Sequence, residues 1–520
     1  MKRLISRRTL ARGATVWGAA AVAALSPFRR VIAAPVFTND PFQLGVASGD
    51  PTADGFVIWT RLAPDIFDPH ALSPEAIEVR WEVAADAAMK KIVARGTALA
   101  HAELAHSVHV DVRGLEPGRD YFYRFTSGAA MSRIGRTKTW PTPRLAADRA
   151  RFAVASCQHY GQGYFTAYRD MIAQNPDFIL HLGDYIYEVD WGTTVRRTPV
   201  AEARSLTDYR LLHAVYKSDP DLQAAHAHCP WLLMWDDHEF SNDYSKENSE
   251  RIQDPAVFAT RKAEAYQAYY EHMPVRASAM PDSDHKMIMF QNLNYGDLME
   301  MAILDSRQFR DPIACQTPER HAGRVLDVTQ CAEMQDPKRS MLGAAQERWF
   351  RDFGRWPMRW NVIAQTLMLA PFDQIAGPGR GVYTDNWGGY PAARKRILDL
   401  VQERNLKSAV SLGGDIHSFF VSDIREDETN PQSPTVMSEF VGTSITSEST
   451  NGPLFEAVMP ENPHIKYWND AQRGYMLFNV DRNTLRADMR VVENVRVRES
   501  AFSTQKSFVV ENGRPGVQFA

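Results

Sequence analysis

At 520 residues the chain exceeds the roughly 250–300 at which one hydrophobic core stops growing, so two or more structural units are expected. A composition of 44% hydrophobic and 23% charged residues, without internal repeat or low-complexity tract, excludes a disordered or fibrous protein. The formal charge of −4 is uneven: the first 33 residues hold seven basic side chains and no acid, and the remainder sets 52 basic against 63 acidic residues, a net −11.

Such an acidic body argues against nonspecific binding to nucleic acid or anionic lipid, and no nucleic-acid-binding surface is expected. The basic leader contains Ser6-Arg7-Arg8-Thr9-Leu10, a twin-arginine pattern, before a weakly apolar Ala/Gly-rich stretch over 14–25. That stretch is shorter than the about 20 apolar residues a bilayer span needs. Residues 1–33 therefore read as a signal peptide cleaved after Ala33, and an uncleaved anchor is the weaker alternative. The twin-arginine translocase would then be a partner during export, and the mature protein, without a membrane span, would be periplasmic or secreted.

From 42 to 140, short period-two runs separated by turn signals are expected as strands, among them Gly55-Phe56-Val57-Ile58-Trp59-Thr60 and Tyr121-Phe122-Tyr123-Arg124-Phe125. This unit reads as a small antiparallel β-sandwich domain. A Pro-rich connection over 139–148 follows, and then the pattern changes: a strand over 151–156, a helix over 164–174 and a strand over 178–182 give β-α-β spacing. Further apolar runs at 231–235, 300–304, 361–364 and 409–412 extend an α/β unit.

Four of these runs end in side chains that bind metals, where an open α/β sheet places its ligands. They are Ser156-Cys157-Gln158-His159, Gly183-Asp184-Tyr185-Ile186-Tyr187-Glu188, Asp236-Asp237-His238-Glu239 and Gly413-Gly414-Asp415-Ile416-His417. Singly, each has an ordinary explanation: a buried thiol, a turn, a solvated acidic loop or a helix cap. Four together point to a hydrolytic centre in which two cations neutralise phosphate oxygens and lower the pKa of the attacking water, one carboxylate bridging them.

These motifs resemble the metallophosphoesterase series in the variant form of the alkaline phosphatase D (PhoD) family. The N-terminal stretches Phe42-Gln43-Leu44-Gly45-Val46-Ala47-Ser48-Gly49-Asp50 and Phe56-Val57-Ile58-Trp59-Thr60, and later Asp385-Asn386-Trp387-Gly388-Gly389-Tyr390-Pro391, extend the resemblance over nearly the whole mature chain. It implies an α/β, αββα metallophosphoesterase-like sandwich over 151–515. It also implies ferric iron held by Cys157, Asp184, Tyr187 and His417, calcium held by Asp184, Asp237 and Asp415, and Asp184 as the bridge. Thiolate and phenolate suit trivalent iron and an all-oxygen set suits calcium. His238 would stabilise the transition state or protonate the leaving alkoxide, while the metals carry the attacking hydroxide. The implied activity is exported alkaline phosphodiesterase or phosphatase action on a phosphate ester.

Several residues stay open. Asp236 either coordinates or, as favoured, supports His238 or caps a turn; Tyr187 rather than its neighbour Tyr185 follows from the family spacing. Arg307 and Arg310 are candidate substrate-binding residues that would grip phosphate bidentately, with surface salt bridging as the alternative. His159 is expected to be a solvated or mouth-lining histidine rather than a ligand, and Trp191, Trp387 and Tyr390 are candidates for the mouth. Cys315 and Cys331, flanking a polar segment, either pair in an oxidising compartment or remain free. The rival functions are an exported binding protein braced by structural metals and a hydrolase of another ester class; a serine hydrolase is disfavoured because no Gly-x-Ser-x-Gly elbow occurs.

Overall fold

The computed structural model describes residues 35–520 apart from 144, 193, 194, 252 and 320. The leader 1–33 and its cleavage point lie outside the described residues.

The N-terminal part contributes eight strands: β1 (Val46–Thr52), β2 (Gly55–Arg61), β3 (Ile77–Ala84), β4 (Ile92–Ala100), β5 (Ser107–Val112), β6 (Asp120–Ser127), β7 (Ala130–Met131) and β8 (Gly135–Lys138). All pair antiparallel among themselves. They pack in two layers, with Phe56, Ile58 and Val112 sharing a core with Val79, Val83 and Tyr121, but one of the layers is not free-standing. The order β4-β3-β6-β7, with β8 on β6, forms one sheet, whereas β1, β2 and β5 join the large sheet of the chain's remainder. The seam is parallel pairing of Gly49 with Trp231. Glycine is required there, since a Cβ would sit 2.3 Å from Pro274 O and 2.9 Å from Trp231 O. The period-two pattern marks these strands correctly, but it carries no information about which sheet each one joins.

The remainder begins with β9 (Arg149–Ala155), β10 (Phe178–Leu182) and β11 (Trp231–Met234), which are mutually parallel. Next come β12 (Gln291–Tyr295), β13 (Met299–Ile303), β14 (Val325–Asp327), β15 (Trp360–Ala364), β16 (Gly381–Tyr383) and β17 (Ala409–Gly413). The last seven are β18 (Phe419–Arg425), β19 (Thr435–Val441), β20 (Ile465–Asn469), β21 (Arg473–Asp481), β22 (Thr484–Val492), β23 (Phe502–Glu511) and β24 (Arg514–Phe519). A ten-stranded mixed sheet runs β24-β23-β22-β21-β9-β10-β11-β1-β2-β5 and a seven-stranded one β12-β13-β15-β17-β19-β18-β20. β14 pairs with β16 separately.

The central strands are continuous apolar runs because both of their faces are covered. Between the sheets, Phe152, Val154, Phe178 and Leu180 pack in one core with Met301, Ile303, Val362, Val410 and Leu412. Outside the seven-stranded sheet, Ile363, Ala409 and Phe420 meet Phe350, Ile397, Val401 and Phe455 of the helices Gly343–Phe350, Pro391–Glu403 and Gly452–Val458. Outside the ten-stranded sheet, the helices Ala167–Ala173 and Pro255–His272 bring Tyr168 to 5.7 Å from the Trp231 ring and Tyr266 to 4.4 Å from that of Trp235. None of the described helices is long and apolar enough to cross a membrane.

Candidate metal centre

The four motif clusters follow the C-terminal ends of β9, β10, β11 and β17, so parallel strands from both sheets deliver them to one place. Cys157, Asp184, Asp415 and His417 all have positive φ, at 58°, 56°, 67° and 57°. Each costs conformational energy for a residue with a Cβ, and such strain persists only where surroundings over-determine it. Here the backbone is clamped: Cys157 N donates to Gly183 O at 3.1 Å, Gln158 N to Asp184 O at 3.0 Å, and Gly414 N to Thr366 O at 2.8 Å. Gly183 (φ 89°) allows the close approach, since a Cβ would lie 2.5 Å from Asp236 N.

Three groups of donor atoms, each within 4.8 Å of one another, result: Cys157, Asp184 and His417; Asp184, Asp237 and His238; and Asp236, Asp237 and Asp415. Asp184 belongs to two of them. Tyr187 Oη donates to Asp184 Oδ2 at 2.9 Å and lies 3.0 Å from His417 Nε2, so it joins the first group. Tyr185 points elsewhere, its hydroxyl 2.8 Å from His226 Nε2. His417 Nδ1 faces the Glu448 carbonyl at 2.9 Å, which fixes the proton there and leaves Nε2 as a lone-pair donor. Ser447 Oγ sits 2.7 Å from Tyr187 Oη and 2.8 Å from Cys157 O, tying the two together.

The electrostatics favour cations. Burial, and then Asp184, pushes the Cys157 thiol well up. Burial, and then Asp236, does the same to Asp415. Asp184 Oδ1 is buried without a hydrogen-bond partner among the described residues. A thiol and a carboxyl held up in this way, as Cys157 and Asp415 are, ionise readily once further positive charge is placed beside them. The residues thus fit metal ions: thiolate, phenol, imidazole and carboxylate in one group, oxygen donors in the other.

His238 stands beside this set. Its Nδ1 lies 2.7 Å from Glu188 Oε2, which leaves Nε2 free, and its ring stacks on Tyr187 at 4.3 Å. Burial would lower its pKa, but Glu188, then Asp237 and Asp184, outweigh that and hold it well above the usual imidazole value. A cavity of about 410 Å³ opens over Asp184, Asp237, His238, Asp415 and His417, with Trp191, Tyr383, Met368 and Phe455 in its walls.

The PhoD-like phosphatase family matches residues 152–489, and the N-terminal domain of PhoD-like phosphatases matches residues 29–141. The chain belongs to the PhoD-like phosphatase family. It is 42% identical over 501 residues to alkaline phosphatase D of Bacillus subtilis (strain 168), covering 94% of this chain and 84% of that protein. A solved structure of PhoD superposes with a TM-score of 0.88 at 40% identity, over 94% of this chain and 93% of that one.

In this PhoD-like chain the six expected ligands Cys157, Asp184, Tyr187, Asp237, Asp415 and His417 lie in overlapping clusters together with His238; Asp184, Asp237, Asp415, His417 and His238 line the cavity, and Cys157 and Tyr187 are buried behind it. Asp236 takes a supporting position as well as neighbouring Asp237 and Asp415: Arg307 contacts both its carboxylate oxygens and Thr366 Oγ1 donates to it at 2.7 Å. Two expectations need correction. Arg307 and Arg310 are wholly buried and line no part of the cavity, so they neither grip substrate in this conformation nor bridge at the surface. Arg307 instead joins Asp236, Asp385 (2.5 Å) and Asp415 (3.3 Å), while Arg310 joins Asp385 (2.5 Å) and the carbonyls of Asp243 and Tyr244. His159 is buried, not solvated; its Nδ1 accepts from Gly161 N at 3.1 Å and its ring stacks 5.2 Å from the half-exposed Trp191.

Trp191 lines the mouth, whereas Trp387 and Tyr390 are core. Cys315 and Cys331 form a disulfide. Sequence reasoning assigned no role to Glu188, Ser447, Thr366 or Asp385. Glu188 stood inside a quoted motif and Asp385 opened another; Ser447 and Thr366 carried no signal.

Proposed function

We propose that the chain hydrolyses phosphate mono- and diesters at a centre of two cations. One, iron, is held by Cys157, Asp184, Tyr187 and His417; the other, calcium, by Asp184, Asp237 and Asp415. Hydrolysis of phosphoric esters comes with membership of the PhoD-like phosphatase family. The observation that carries the two-cation reading is the sharing of Asp184 between adjacent donor groups. When bound, such ions neutralise phosphate oxygens and make water a nucleophile near neutral pH.

The chain's own residues do the rest. Ser447 and Glu448 orient Tyr187 and His417. Arg307 holds Asp236 and Asp415 in place from beneath. His238, oriented by Glu188, presents Nε2 toward the cavity, where a protonated imidazole stabilises charge on phosphorus-bound oxygen and returns a proton to the departing alkoxide. We further propose the αββα arrangement over 151–515, an N-terminal β domain over 42–140 and export through the twin-arginine pathway by residues 1–33.

The purified protein should cleave bis-p-nitrophenyl phosphate at a rate comparable to p-nitrophenyl phosphate. Inertness toward both, with ligand affinity retained in Asp237→Ala, would instead make it a binding protein with bracing metals.

A further inference from the structure

The pole opposite the metal centre carries a basic surface that the hydrolytic function does not use. β13, β15 and β17 begin there, and the turns β12–β13, β21–β22 and β23–β24 close there. β17 alone, five residues at about 3.3 Å each, separates this pole from Asp415 by roughly 16 Å of strand. A cleft of about 690 Å³ is lined by Arg355, Trp356, Arg359, Arg404, Lys407 and Arg482. Its floor is fixed: Asn512 Nδ2 donates to Arg359 O at 2.6 Å and to Ser408 Oγ at 2.9 Å, and Trp360 Nε1 to Asp481 O at 2.7 Å.

Carboxylates balance only part of this charge. Arg482 forms two 3.0 Å contacts with Asp297, and Arg355 one of 3.1 Å with Asp352. Arg404 meets only the Arg351 carbonyl, and Arg359 and Lys407 have no carboxylate partner among the described residues. In their midst Trp356 is 66% exposed, followed by exposed Pro357 and half-buried Met358. The acidic balance of the chain disfavours nonspecific adsorption of the body on anionic lipid. At this one end, however, cations without carboxylate partners surround an apolar tip, which favours docking in a single orientation.

We propose that this pole docks on a bilayer surface containing anionic phospholipid, with Trp356 at headgroup level and Arg359, Arg404 and Lys407 against the lipid phosphates. Trp with flanking Lys/Arg is the composition of membrane-interface anchors, and clustered cations near a surface are attracted by anionic lipid. Single-stranded nucleic acid fits less well, because stacking along a strand uses successive aromatics and the cleft has one. A free phosphate would be held by enclosed donors, whereas these cations stand at an open rim. Docked this way, the metal cavity faces away from the bilayer toward soluble esters. The inference does not depend on the identity of the metals.

The test is co-sedimentation of the full chain with vesicles of phosphatidylcholine alone and of an equimolar mixture with phosphatidylglycerol, comparing wild type, Arg359→Glu/Lys407→Glu and Trp356→Ala. The leader is common to all three, so their differences report the pole. Binding to the mixed vesicles should weaken about tenfold in the charge-reversed variant and as salt is raised. It should also fall in Trp356→Ala, and turnover of p-nitrophenyl phosphate should stay unchanged throughout, which also shows that each variant folds. Equal retention of wild type and charge-reversed protein overturns the proposal. So does equal binding to both vesicle types, or a cleft that takes inorganic phosphate or oligothymidylate while vesicles stay unbound.

Discussion

Glu188 Oε2 lies 2.7 Å from His238 Nδ1, and the same carboxylate accepts from Asn242 N at 2.8 Å through its other oxygen. The imidazole is therefore fixed in orientation, and its Nδ1 proton held, by a residue at the end of the Asp184 motif, 50 positions away. Glu188→Gln should keep the fold and lower kcat about 10- to 100-fold, the range for a partner that orients a functional group. His238→Ala should cost about 10²- to 10⁴-fold. Steady-state kinetics on bis-p-nitrophenyl phosphate measure both; a Glu188→Gln enzyme with full kcat removes the orienting role.

Cys157 should decide the identity of the first ion. A thiolate and a phenolate on ferric iron give charge-transfer absorption, so the purified protein should be coloured, and Cys157→Ser should lose the colour and most of the iron by metal analysis. Calcium chelation should abolish turnover and added calcium should restore it. A colourless, iron-free and fully active preparation would overturn the iron assignment.

Four of the six candidate ligands were legible because they closely follow strand ends: Cys157 after β9, Asp184 after β10, Asp237 after β11 and Asp415 after β17; Tyr187 and His417 lie further along the same loops and were picked out by family resemblance. Apolar runs with polar ends are a local signal. The supporting residues were not legible, because their roles exist only across the fold. Ser447 reaches Cys157 over 290 positions and Thr366 reaches Asp236 over 130, and a serine or threonine between apolar runs looks like any other. The split of the N-terminal strands between two sheets was hidden for the same reason: alternation fixes which face is buried and leaves the neighbouring strand unspecified.

Arg307 illustrates the limit most sharply, since a guanidinium near a phosphate site reads as a substrate contact, whereas here it neutralises Asp236, Asp385 and Asp415 from within. Removing one partner of a buried ion pair strands the others and costs about 3–5 kcal/mol. Arg307→Met should accordingly lower the melting temperature and metal content together. A variant with unchanged melting temperature and a raised KM alone would return the arginine to the substrate.

A second buried basic cluster predicts how stability depends on pH. Lys217 Nζ sits 3.4 Å from His226 Nε2 and 4.5 Å from the Trp59 ring, with His213 and His272 nearby, their rings stacked at 4.9 Å. Burial lowers Lys217 from 10.5 to about 7 and pushes His213, His226 and His272 well below the usual imidazole value. Because these folded-state values lie below the unfolded ones, the unfolded chain binds more protons, and stability rises with pH. For Lys217 the rise runs from pH 7 to 10.5; for the histidines, stability is lost as pH falls below 6.5. A tenfold difference in proton affinity between the folded and unfolded chain is worth about 1.4 kcal/mol, so Lys217 contributes on the order of a few kcal/mol. Urea melts of wild type and Lys217→Met between pH 7 and 10 isolate it, since other titrating groups are common to both. The wild type should gain stability over Lys217→Met as pH rises through that interval, and parallel curves would show that Lys217 keeps its proton when buried.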